Sequence, residues 1–171
     1  GMAAPGKGPE HHGHDGKFRS LEQYRDLIRE NVEQGLVDIM LMSASSNEAI
    51  TIRERLFDAS HVTPAIRAND TTDIWFAHGS QYTNQPAQPF HTASIDHGMC
   101  GKAECQPGER QLGAELGLFS VTFNNDVTLD RQMLEEYREF RIEAEAKGFR
   151  HFLEVFDPNV LQSPVPDLGR F

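Results

Sequence analysis

No stretch of this 171-residue chain approaches the roughly 20 consecutive apolar residues that cross a bilayer, and its N-terminus lacks the charged-then-apolar order of a secretory signal. A membrane span and an exported precursor are therefore not expected, and the chain reads as cytoplasmic. Basic runs are missing as well. Sixteen Lys and Arg stand against 26 Asp and Glu, a formal net charge of −10, and such a surface repels polyphosphate and anionic lipid, so neither nucleic acid nor a membrane is expected as a partner. Small anions remain admissible, because a few arginines in a cleft can outweigh the global field. With 2 cysteines there is no disulfide framework, and Cys100 and Cys105 fit a reducing compartment as free thiols.

What the chain does have is a repeated pattern, in which a short apolar run stops at polar groups. Leu36 to Met42 runs into Ser43-Ala44-Ser45-Ser46-Asn47, and Val62 to Ile66 runs into Arg67-Ala68-Asn69-Asp70. Leu118 to Phe123 runs into Asn124-Asn125-Asp126, and Phe152 to Phe156 into Asp157-Pro158-Asn159. Apolar runs of this length between helical patterns read as parallel strands covered on both faces, and in such sheets ligands collect where the strands end. The expectation is an α/β chain with strands at 36–42, 61–66, 117–123 and 150–156 sharing one polar rim.

The helices between them carry their own signals. Leu21, Tyr24, Leu27, Ile28 and Val32 recur at spacings of three and four, Ser20 with Gln23 forms a capping box, and Gly35 is placed for a left-handed cap. Ser46 or Asn47 is expected to cap a second helix through Ile50, Ile52, Leu56 and Phe57. Thr128 or Asp130 opens a long one whose buried face is read as Leu129, Met133, Leu134, Tyr137, Phe140, Arg141 and Ala144, closed by Lys147-Gly148.

Two regions break the rhythm. Gly1 before Met2 reads as the scar of a cleaved tag, and residues 1–17, rich in Gly, Pro and His, as a disordered tail ahead of a single β/α domain at 18–171. Residues 71–113 hold Pro86, Pro89, Pro107 and both cysteines and form an irregular insertion, too long for a bare connection. Within it, His91 to Ile95 reads as a further strand ending at Asp96-His97-Gly98.

The chemistry-bearing groups follow from position. Arg67 offers a fixed fork of donors for a carboxylate or phosphate, and Asn69 or Asp70 can orient a hydroxyl or water. Glu154 lies inside an apolar run, where a carboxylate either finds a partner or shifts toward its neutral form, which suits general acid or base work. Asp96 beside His97 is a second acid/base position, while Ser43 and Asn124, at strand ends, are substrate-binding positions. Cys100 and Cys105 with His97 and His91 are spaced too loosely for a structural zinc motif, so no metal and no cofactor is assigned.

Gly35-Leu36-Val37-Asp38-Ile39-Met40-Leu41-Met42-Ser43, the Ala65-Ile66-Arg67-Ala68-Asn69-Asp70 turn and Phe149-Arg150-His151-Phe152-Leu153-Glu154-Val155-Phe156 resemble the β/α barrels of class I aldolases of the deoxyribose-phosphate and archaeal fructose-bisphosphate type. The resemblance covers residues 18–160 and implies a TIM-barrel-like fold, incomplete at four to five strands, that acts as an aldolase-like lyase on a small phosphorylated or carboxylated sugar-type substrate. Asp96-His97-Gly98 is similar to the Asp-His-Gly that carries a catalytic aspartate in some of these enzymes, although it arrives late in strand order. Glu154, Asp70 and Asp96 are then the catalytic residues, and Arg67, Asn69, Ser43 and Asn124 the substrate-binding ones. The family's Schiff-base lysine has no counterpart among Lys7, Lys17, Lys102 and Lys147, which fall in the tail, the insertion and a helix end. The expected alternatives are a metal-assisted barrel enzyme using Asp96, His97 and Glu154, and a non-catalytic barrel. A chain of this length is read as the N-terminal part of a longer barrel, or as one that closes its barrel in a homo-oligomer.

Overall fold

A computed structural model of the chain describes residues 20–69, 85–88, 93–158 and 160. Four parallel strands form one sheet: β1 (Ile39–Met42), β2 (Thr63–Arg67), β3 (Leu116–Thr122) and β4 (Arg150–Phe156), each hydrogen-bonded to its neighbour in sequence. The register sets Leu41 beside Ala65, Arg67 beside Leu118 and Ser120 beside Glu154. The expected tail, Asp70 and most of the first half of the expected insertion lie outside the described residues.

Local rules explain the helices. Helix α1 (Leu21–Gln34) starts at the Ser20–Gln23 capping box and ends at Gly35, whose φ of 62° is the left-handed cap that glycine adopts without strain. Helix α2 (Ala44–Asn47) is capped by Ser43, whose hydroxyl accepts from the Ser46 amide, and runs on as a π-helical segment, Glu48–Arg53. The cap is thus three residues earlier than expected at the first option, and Ser46 and Asn47 are buried within the helix instead of opening it. Helix α4 (Val127–Lys147) is capped by the Asp126 carboxylate, which accepts from the amides of Thr128 and Leu129. Its inner face carries Met133, Phe140 and Ala144 as expected, whereas Leu134 and Arg141 turn outward.

The second half of the insertion corrects the sequence reading. Ser94 to Cys100 is not the end of a strand: Ser94 caps a short helix, α3 (Ile95–Cys100), through its hydroxyl and the His97 amide. Apolar Ile95 and Met99 sit four apart and are both buried, a spacing that serves a helix, and too few residues separate them for the period to show in the sequence. Gly98 and Gly113 let this helix approach closely, since a Cβ at Gly98 would strike the Ile66 side chain and one at Gly113 the Gly98 carbonyl. Cys100 and Cys105 are joined in a disulfide, not free as expected, and both are buried. That removes the thiol argument for a cytoplasmic location. No helix among the described residues is long and apolar enough to cross a membrane.

All the described helices lie on one face of the sheet. Met42 packs with Ile28, Val32 and Ile50 from α1 and the α2 segment, and Ile66, Phe119 and Val121 pack with Ile95 and Met99 of α3 and with Met133, Phe140 and Ala144 of α4. Phe119 lies 5.0 Å from Phe140 and 5.3 Å from Tyr137, and the His151 ring meets Phe140 edge-on at 5.4 Å, so aromatic packing fastens α4 to β3 and β4. The alternating residues Thr63, Ala65, Arg67, Leu118, Ser120, Phe152, Glu154 and Phe156 point to the opposite face. Strand β4 departs from the expectation that every strand is covered on both faces. Phe152, Leu153 and Val155 are 40%, 42% and 55% exposed, because β4 pairs with β3 along one edge alone among the described residues.

Candidate functional site

The polar groups at the C-terminal halves of β2, β3 and β4 converge on the face opposite the helices. Strand pairing between β2 and β3 continues past Arg67 through a side chain. The Asn69 amide nitrogen donates to the Ser120 carbonyl at 2.6 Å, and the Ser120 backbone N–H donates to Asn69 Oδ1 at 2.7 Å. Buried Asn69 therefore stands in for a backbone peptide and splints the ends of the two strands.

Ser120 then links that splint to the carboxylate. Its hydroxyl donates to Glu154 Oε2 at 3.2 Å, across the directly opposed Ser120–Glu154 pair. Parallel neighbours project the same way, so Arg67, opposed to Leu118 one step before Ser120, shares this face. Arg67 is half-buried and makes no ion pair or hydrogen bond among the described residues. A guanidinium held on a strand with its donors free is chemically an anion receptor, and the half-buried Glu154 carboxylate with its serine donor is a proton acceptor held in one orientation.

Other expected site residues are placed elsewhere. Asn124 stands at the same end of β3, but its side chain braces the loop: Nδ2 donates to Ala87 O at 3.0 Å and its backbone N–H to Asp130 at 2.7 Å. Ser43 lies at the end of β1, where its hydroxyl is committed to capping α2 and to contacts with Ser45 and Ser46 at 3.1 Å each. Asp70 falls outside the described residues.

Asp96 is the substantive correction. It sits in α3 on the helix-covered side, buried, with Lys147 Nζ 2.7 Å from its Oδ2. Lys147 closes α4 just before β4 begins, so this pair belongs to the end of the sheet where the strands start and is not gathered with Glu154. Burial disfavours the Lys147 ammonium, but hydrogen bonds to Asp96 and Glu143 outweigh it and hold the pKa above the ordinary lysine range. His97 turns to Glu48, with Nε2 3.1 Å from Oε2. The trio Asp96, His97 and Glu154 required by a metal-assisted enzyme is therefore split between the two faces of the sheet. Among the described residues no three His, Cys, Asp or Glu side chains gather as metal ligands.

Ser120 was missed by sequence reasoning. It lies within the apolar run Leu118-Phe119-Ser120-Val121, and one polar residue in a strand covered on both faces passes as tolerated. The signal that could have found it is the alternation shared with Glu154: each is the polar member of a period-two apolar strand, and aligned parallel strands bring such residues side by side.

Comparison of the chain with protein-family models, with curated proteins and with solved structures finds no match.

Proposed function

We propose that this chain is a TIM-barrel-like β/α unit whose strand-end rim binds a small phosphorylated or carboxylated sugar-type substrate and acts on it as an aldolase-like lyase. The observation that carries the reading is Arg67, without an ion pair or hydrogen bond among the described residues, on the face opposite the helices, beside the Asn69–Ser120–Glu154 network. Parallel strands in sequence order with helices on one side support the barrel architecture, in which substrates meet side chains at the C-terminal strand ends.

The roles follow from the chemistry of each group. The Arg67 guanidinium takes the anionic end of the substrate through two parallel N–H donors. Glu154 accepts the proton of the substrate hydroxyl as the adjacent carbon–carbon bond breaks, and returns a proton to the departing carbon fragment. Ser120 holds the carboxylate in place, and Asn69 holds Ser120. Lys102 is engaged by Glu109 and Lys147 by Asp96 and Glu143, so neither of them provides a free amine to this rim.

The test is cleavage of phosphorylated keto-sugars followed by coupled reduction of the aldehyde product. Glu154→Gln is expected to lower kcat roughly 100-fold, the range of a lost general acid/base, while Arg67→Ala raises KM. Absence of cleavage across a panel of such sugars overturns the lyase reading.

A further inference from the structure

We infer that two copies of this chain close into one barrel, with β4 of each pairing in parallel with β1 of the other. The inference rests on the barrel reading of the sheet, though not on the reaction assigned to its rim. Four observations support it together. First, β4 is a seven-residue strand whose outer edge has no partner among the described residues, and it exposes Phe152, Leu153 and Val155 at 40%, 42% and 55%. An edge of this length, apolar on both faces and without proline, invites pairing. Second, β1 at the other end of the sheet also lacks an outer partner among the described residues, and Ile39 is 47% exposed there.

Third, the two edges match. Ile39 and Phe152 project to the same, helix-free face, so parallel pairing sets apolar against apolar inside the closed ring. Exposed Asp38 precedes β1 and exposed Arg150, whose guanidinium already pairs with Glu115 of its own chain, opens β4, so the seam sets Asp38 at the same end as that Arg150–Glu115 pair. On the helix side, Leu134 of α4 is 47% exposed on the flank turned away from α3, and with Leu153 and Val155 it offers an apolar strip for α1 of the other copy. Fourth, the four parallel strands among the described residues are half of the eight that a β/α barrel needs, and parallel pairing keeps every strand end at one rim. A β4-to-β4 pair about a two-fold axis would instead be antiparallel and would oppose the two rims.

The rim changes with the assembly. Arg67, Ser120 and Glu154 of both copies would ring one mouth, so the second chain completes the enclosure that a single four-stranded sheet leaves open.

Sedimentation equilibrium and cysteine cross-linking test this directly. The chain is expected to sediment as a dimer, and Val155→Lys, at a position already exposed, to shift it to monomer with an unchanged far-ultraviolet circular dichroism spectrum. A mixture of Ile39→Cys and Phe152→Cys chains is expected to give an oxidised cross-linked dimer that neither variant gives alone. A wild-type chain that stays monomeric at 100-fold the protein concentration of the binding assays overturns the inference. So does cross-linking by Leu153→Cys alone with none in the mixture, which is the signature of antiparallel β4 pairing. A monomer that still binds inorganic phosphate through Arg67 would leave the proposed function standing, so the two failures are distinguishable.

Discussion

The two faces of the sheet are built on opposite terms. On the helix side the charged groups of α3 and the end of α4 are paired: Asp96 and Glu143 share Lys147, His97 meets Glu48, and a disulfide ties the end of α3 to the loop behind it. Phe119, Phe140 and Ile66 are at most 1% exposed among them. On the other face Arg67 is unengaged among the described residues, Glu154 is half-buried with one serine donor, and apolar side chains of β1 and β4 meet solvent. The first face is what stability requires of a core. The second carries polar groups that folding of one chain does not need, and the proposed ligand site lies there, whereas the exposed apolar edge of β4 shows on both faces through Phe152, Leu153 and Val155.

If this contrast is right, the largest stability effect comes from the helix side. Phe140→Ala removes a ring in contact with Phe119 and His151 and is expected to lower the unfolding free energy by about 3–5 kcal/mol in urea titrations. A loss under about 1 kcal/mol would mean that α4 is loosely attached and that the contrast is drawn in the wrong place.

A smaller effect attaches to Lys147. Its pKa is raised in the folded chain, so its contribution is fully present below the ordinary lysine value of about 10.4 and is lost as pH rises through the higher folded value. Lys147→Met leaves buried Asp96 without its cation and is expected to cost about 1–3 kcal/mol at neutral pH. The variant's thermal midpoint should then fall less steeply than the wild type's above pH 10. Parallel alkaline profiles for the two proteins would show that the ion pair contributes nothing.

Much of the fold is legible in the sequence because its signals are local. The Ser20–Gln23 box, Gly35, the Lys147-Gly148 stop and the apolar runs of β1 to β4 each report on a few adjacent residues, and the structure places elements there within a few positions. The failures are non-local. Helix α3 is too short to display its period, and Ser94-Ile95-Asp96-His97 has the look of a strand running into a polar end. The disulfide depends on how the loop after Gly101 folds back on α3, which spacing alone does not report. The separation of Asp96 from Glu154 depends on which side of the sheet α3 covers. Arg67, Asn69 and Glu154 were singled out in the sequence because position in a strand, or just past its end, was enough to mark them. Ser120 was not, since its meaning comes from the neighbouring strand. The exposure of β4 escaped for the same reason: an apolar run reads as buried until the missing neighbour is counted.

The smallest expected effect on folding and the largest on binding coincide at Arg67. With no partner among the described residues, its removal should move the unfolding free energy by no more than about 0.5 kcal/mol. The decisive measurement is calorimetric titration of the wild-type chain and Arg67→Ala with inorganic phosphate, alongside their urea midpoints. The account predicts one phosphate per chain for the wild type, affinity weakened roughly tenfold or more in Arg67→Ala by loss of a charge-assisted hydrogen bond, and matching midpoints. Equal phosphate affinity in the two proteins, or a large fall in the Arg67→Ala midpoint, would contradict it and return Arg67 to the structural side of the sheet.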